Sequence, residues 1–145
     1  MQHKTISAKG GTVHYWIDKK ESAADCIVFT HGVTADHTMF EKQVEYFAGH
    51  YTIILWDVPM HGLSRPYDEF SYRDTAEILH DILQTEHIEK AFFVGMSMGG
   101  YPSQHFGVLY PDMVKGLIAL DTTPLGLQYY SRSDMWWLNQ VALMA

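Results

Sequence analysis

Four short, nearly continuous apolar runs constrain this chain more than any other feature: Cys26-Ile27-Val28-Phe29-Thr30, Thr52-Ile53-Ile54-Leu55-Trp56, Ala91-Phe92-Phe93-Val94-Gly95 and Val114 to Leu120. Each is strand-sized, and a strand without polar alternation is one covered on both faces. The segments between them carry a helical period instead. Phe40, Val44 and Phe47 recur within Met39 to Ala48, which Gly49 ends; Ala76, Leu79 and Leu83 form one stripe within Tyr72 to Thr85. A third helix is expected from the end of the third run to about Tyr110, where Pro111 stops it. Buried strands alternating with helices predict an α/β protein: a mostly parallel sheet with helices on both faces and right-handed crossovers. Ahead of these, Gln2 to Ala8 and Thr12 to Ile17 flank Lys9-Gly10-Gly11 and read as a hairpin. At 145 residues, 47% of them hydrophobic, the chain has the means for one packed domain.

Several function classes are disfavoured at once. The formal charge is −7 and the ten Lys and Arg are scattered, so no basic stripe for nucleic acid is expected. No apolar run approaches a membrane span, and Met1 to Ile6 lacks the apolar core of a secretory signal. The lone Cys26 leaves no internal disulfide and suits a reducing compartment, where it reads as a small core residue. A cytoplasmic protein is the expectation.

In open parallel sheets, ligands bind beyond the carboxyl ends of the strands. The chemistry-bearing residues of this chain gather there: His31-Gly32-Val33, Asp57, Ser97 and Asp121. Among them, Gly95-Met96-Ser97-Met98-Gly99 is a G-x-S-x-G turn between a strand and a helix. Such a turn is so tight that the flanking positions must be small. It also forces the serine into a strained backbone conformation that exposes its hydroxyl at the rim of the sheet. The helix that starts there favours negative charge, and the Met98 amide can donate to a developing oxyanion. Nucleotide-binding turns are also glycine-rich at this place in a fold, but lack the central serine.

In order along the chain, the strand ending His31-Gly32, the Asp57-x-x-x-His61-Gly62-x-Ser64 loop, the elbow at Ser97 and the strand ending Asp121-Thr122-Thr123-Pro124 resemble the α/β-hydrolase family, in its cap-bearing group of esterases, lactonases, haloalkane dehalogenases and peroxidases. The resemblance implies an oxyanion hole made by the backbone N–H groups of Val33 and Met98, with His31 bracing the loop. It implies a hydrogen-bonded turn at Asp57 and His61, with Arg65 nearby. It places the triad acid either at Asp121 or after a further strand, followed by a catalytic histidine. His105 lies about 12 Å along the helix from Ser97, at 1.5 Å per residue, and cannot reach it. Compared with the family, the chain reads as truncated after its sixth strand: residues 1–121 as the first part of the core, 122–145 as the start of a cap. The last strand would then offer an open apolar edge, so self-association, or a missing C-terminal segment completing the sheet, is expected.

The expected activity of the parent protein is hydrolysis of a small ester, thioester, lactone or amide by Ser97, with the catalytic histidine missing from this chain. The alternative is a non-catalytic, truncated hydrolase-like binding module. Cofactor-free peroxidation or carbon–carbon cleavage would share these motifs, whereas dehalogenation would place aspartate where Ser97 stands. Met60, Met96, Met98, Trp136 and Trp137 hint at an apolar small-molecule substrate. No cofactor is called for. The spacing of His31, His37, Asp57 and His61 matches no standard metal-ligand pattern, so no metal is expected either.

Overall fold

The computed structural model describes residues 1–20, 25–125, 131–133 and 136. Its six strands are β1 (Gln2–Ala8), β2 (Gly11–Asp18), β3 (Cys26–Thr30), β4 (Thr52–Trp56), β5 (Ala91–Met96) and β6 (Val114–Leu120). They form one sheet in the order β1-β2-β4-β3-β5-β6. The hairpin β1–β2 is antiparallel, and β2 meets β4 antiparallel; β4, β3, β5 and β6 run parallel. The period-2 pattern of β2 is real, with Val13, Tyr15 and Ile17 buried on one face. In β3 and β4 every residue is buried, as their unbroken apolar runs require.

Helices cover both faces, so the core is double. On one side α2 (Tyr72–Thr85) and α3 (Gly100–Leu109) pack Ala76, Leu79, Leu83 and Phe106 against Val28, Ile54, Trp56 and Phe93. On the other, Phe40, Val44 and Phe47 close over Ile27, Phe29, Ile53 and Leu55. α2 starts where Ser71 and Asp74 cap each other's backbone N–H groups. The helix expected over Met39 to Ala48 divides in two: a 3-10 turn over His37–Phe40, then α1 over Glu41–Phe47. Asp36 starts the turn early by accepting the Thr38 N–H, and Gly49, at φ +89°, follows the end of α1.

A buried carboxylate ties the hairpin to the end of α2. Glu86 accepts from Lys4 Nζ at 2.8 Å and from the Tyr15 hydroxyl at 2.7 Å. Burial alone would raise its pKa, but these donors outweigh burial and hold it below the usual carboxylate range. Cys26 sits in the core, where burial pushes its thiol up to about 12 and leaves it unreactive near neutral pH. At the far edge β6 pairs, among the described residues, with β5 alone, and Leu117, Ile118 and Leu120 are exposed. Among the described residues no helix is long and apolar enough to cross a membrane. Most of the segment read as a cap, including Trp137, lies outside the described residues.

Candidate active site

The elbow is built by three close approaches. β5 ends at Met96, Ser97–Gly99 make a 3-10 turn, and α3 begins at Gly100. A Cβ on Gly95 would collide with the Gly99 carbonyl, and one on Gly99 with the Thr30 carbonyl of β3. Only glycine lets helix, turn and neighbouring strand meet this closely. The turn forces Ser97 to φ +50°, a region costly for a residue with a side chain, and leaves it half-buried at the strand end. Met98 follows with its side chain in the main core, so only its backbone faces the chemistry expected of it. Its N–H is among the first of the turn, groups that a helix leaves without partners of its own.

The β3 loop arrives beside the elbow. The position a Cβ would take on Gly32 is 3.7 Å from Ser97 Cβ, so Val33 is the next residue from a direct neighbour of Ser97. Gly32 O accepts the Ala35 N–H, closing a tight turn with Thr34 at φ +63°. Among the described residues no group accepts the Val33 N–H. His31 holds this turn. Its Nε2 accepts the Val58 N–H at 3.1 Å, so Nδ1 carries the proton and donates it to Gly32 O at 2.8 Å. Burial lowers its pKa, and with both nitrogens occupied the neutral ring is a brace.

Asp57 is fully buried after β4. One oxygen accepts the His37 N–H at 2.8 Å and His37 Nδ1 at 2.9 Å; the other accepts the Leu63 N–H at 2.7 Å. The loop is the hydrogen-bonded turn expected there, closed further by Arg65 Nε donating to Met60 O. His37 is the partner that sequence reasoning missed. The two residues are 20 positions apart, and nothing in their spacing announces the pair. A second unforeseen contact is the thioether of Met39, which accepts the Gly32 N–H at 3.4 Å.

Asp121 stands where the strand register puts it. Met96 pairs with Leu120, so Ser97 and Asp121 each lie one residue beyond the last paired positions of adjacent strands. Asp121 is exposed, at φ +48°. The segment after it is clamped by α3: Gln104 donates to Thr123 O and accepts the Leu125 N–H, and the Tyr101 and Thr123 hydroxyls are 3.0 Å apart. His105 is half-buried on α3, and burial lowers its pKa. Among the described residues no histidine hydrogen-bonds Ser97. Of the apolar residues suggested as a pocket lining, Met98 belongs to the core, Met96 packs against the second core, and Met60 and Trp136 are exposed.

Comparison with known proteins agrees with this architecture. The α/β hydrolase fold family matches residues 25–144. The 3-oxoadipate enol-lactonase 1 of Acinetobacter baylyi is 33% identical over 100 residues, covering 69% of this chain and 37% of that protein. A pimeloyl-[acyl-carrier protein] methyl ester esterase of Chromobacterium violaceum is 30% identical over 110 residues, 76% of this chain and 40% of its own length. The chain thus spans about two fifths of the curated relatives it matches. Among solved structures, a hydrolase from Pseudomonas aeruginosa PA01 superposes with a TM-score of 0.81 at 17% identity, covering 98% of this chain and 52% of that one. With the family match spanning most of its length and the six-stranded sheet in place, the chain belongs to the α/β hydrolase fold family.

Proposed function

We propose that Ser97 is the nucleophile of a hydrolase that cleaves a small ester, thioester, lactone or amide bond. Its hydroxyl attacks the carbonyl carbon, and the oxygen that gains the negative charge sits between the N–H groups of Val33 and Met98. Loss of one such donor costs about 3–4 kcal/mol of transition-state stabilisation in studied enzymes. The intermediate collapses as the bond to the leaving alcohol, thiol or amine breaks, that group taking the proton removed from Ser97 by the base, and water then hydrolyses the acyl-enzyme to the free acid and Ser97. The observation that carries this reading is Ser97 at φ +50°, on a strand-to-helix turn, beside the Gly32 turn. Relatives that act on an enol-lactone and a methyl ester support the bond class.

A serine hydroxyl needs a base to take its proton. We assign that base to a histidine in sequence following Ala145, since the relatives are more than twice as long as the matched portion. Asp121 is the proposed acid that orients it, or a carboxylate from the same following sequence takes that role. The small, apolar character of the substrate is proposed from the exposed Met39, Met60 and Leu63 side chains on the loops after β3 and β4. A second reading, a binding module without catalysis, draws on the lack of a histidine bonded to Ser97 among the described residues.

The two readings separate on activity. A protein carrying this chain and the sequence that follows it is expected to hydrolyse short-chain esters or lactones, and Ser97→Ala is expected to lower kcat/KM by at least about 10⁴-fold. Unchanged hydrolysis in Ser97→Ala would overturn the assignment, and no hydrolysis by the wild type would favour the binding module.

A further inference from the structure

We propose that Met39 is a positioning residue for the oxyanion loop: its thioether holds the Gly32 N–H so that the next amide, that of Val33, is aimed at Ser97, and oxidation of this sulphur to the sulfoxide disables the site. The proposal rests on the roles given above to Ser97 and Val33 and extends them to a residue that gives no proton or hydrogen bond to the substrate. Gly32 is the pivot of the loop. Its carbonyl accepts the Ala35 N–H at 3.3 Å and the His31 Nδ1 proton at 2.8 Å, while its N–H donates to Met39 Sδ at 3.4 Å. Among the described residues the Gly32 N–H has no other acceptor. The carbonyl side is therefore held by two donors, and the amide side by a thioether, a weak acceptor. A Cβ on Gly32 would lie 3.5 Å from the Met96 carbonyl and 3.7 Å from Ser97 Cβ, so a shift of this peptide is felt at the elbow.

Met39 can act as a holder because the turn that carries it is pinned on every side. Asp36 accepts the Thr38 N–H at 2.9 Å through its side chain and the Met39 N–H at 3.1 Å through its carbonyl. The His37 N–H donates to the buried Asp57 at 2.8 Å, and the His37 ring stacks on Trp16 with centroids 3.5 Å apart. Phe40, next in the chain, is buried in the second core. With both neighbours fixed, the Met39 backbone cannot follow a side chain that is forced to turn away.

The sulphur is also within reach of a small oxidant, since Met39 is 41% exposed. Hydrogen peroxide transfers one oxygen to it: the S–O bond forms as the peroxide O–O bond breaks, sulphur is oxidised and the peroxide is reduced to water. The thioether has two lone pairs. Oxygen added to the one facing Gly32 removes the acceptor outright. Oxygen added to the other leaves an electron-poor sulphur towards the N–H and a polar oxygen that turns to water. In both epimers the Gly32 N–H loses its partner and the loop relaxes. Met1 and Met60 are exposed as well, but among the described residues neither sulphur accepts a hydrogen bond.

Peroxide treatment of a protein carrying this chain and its following sequence tests this, with Met39 oxidation followed by peptide mass spectrometry. As Met39 oxidises, kcat for ester or lactone hydrolysis is expected to fall about tenfold, short of the hundredfold or more that outright loss of an oxyanion donor costs. KM should change by less than about twofold, and the Gly32 amide should exchange faster. Methionine sulfoxide reductases should reverse all of this, which an unfolded site would not allow. Met39→Leu, similar in volume but without the acceptor, should lower kcat about fivefold and make what remains insensitive to peroxide. Met60→Leu should stay sensitive. A rise in KM with kcat unchanged would make Met39 a lining residue only and overturn the proposal, as would full kcat and an unchanged Gly32 amide after complete oxidation of Met39. No hydrolysis by the untreated wild type would instead overturn the Ser97 reading, and this role with it.

Discussion

β4 and β6 are written in the same apolar alphabet and have opposite fates. Thr52–Trp56 is buried at every position, with β2 on one side, β3 on the other and a core on each face. Val114–Leu120 has, among the described residues, β5 on one side only, and its last four residues are exposed. An apolar run therefore reports the environment a strand is suited to, and neighbours decide whether it is met. A wider division follows the same line. A buried anchor, Glu86 with Lys4 and Tyr15, lies on the β1–β4 side, whereas β5 and β6 are each followed at once by a non-glycine residue with positive φ, Ser97 and Asp121.

Mutation can break that comparison at several strengths. Ile54 is fully buried, and Ile54→Ala should cost about 3–4 kcal/mol of unfolding free energy by urea titration. Glu86→Gln should cost about 1.5 kcal/mol at neutral pH, because the donors of Lys4 and Tyr15 lose a charged partner. That difference has a pH signature. The folded pKa of Glu86 lies below its unfolded value, so its contribution is complete above about pH 4.3 and is lost as pH falls through the folded value. The wild type and Glu86→Gln should thus converge in stability on acidification. A cost that grew with acid would contradict the assignment.

Smaller effects test the other side of the sheet. Ser97→Gly relieves the backbone at φ +50° and should raise stability by about 0.5–1 kcal/mol after the greater unfolded-state freedom of glycine is set against it. Ile118→Ala on the open edge should change stability by less than about 0.5 kcal/mol. We propose that this edge takes a further strand, from a second copy or from following sequence. On that proposal Ile118→Lys lowers self-association in sedimentation while the melting transition stays in place. A loss comparable with Ile54→Ala would erase the distinction between the strands.

What could be read from residues alone follows from how local each signal is. The five-residue apolar runs, the Ala76–Leu79–Leu83 stripe and the elbow glycines each act within a few positions, and each appears in the structure where it was expected. The helix expected over Met39 to Ala48 starts earlier, as a 3-10 turn, because Asp36 accepts a backbone N–H two residues ahead, before the apolar period begins. The His37–Asp57 pair and the Trp16 stack were not legible, since both depend on which strand lies beside which: the pair needs β3 parallel beside β4 and the stack needs β2 docked antiparallel on β4, and no periodicity within a strand encodes either choice. At the site, the proximity of the Gly32 turn to Ser97 follows the order of motifs that the family resemblance implies, whereas nothing in the sequence announced that Asp121 is exposed.

The central claim is that the Ser97 hydroxyl is the reactive group. Treating a protein that carries this chain and its following sequence with a fluorophosphonate, then mapping the adduct by mass spectrometry, tests it directly. We expect a single phosphonyl adduct on Ser97, absent after Ser97→Ala and absent when the 145 residues are treated alone. An unmodified Ser97 in the longer protein, or an adduct on another side chain, would contradict the account.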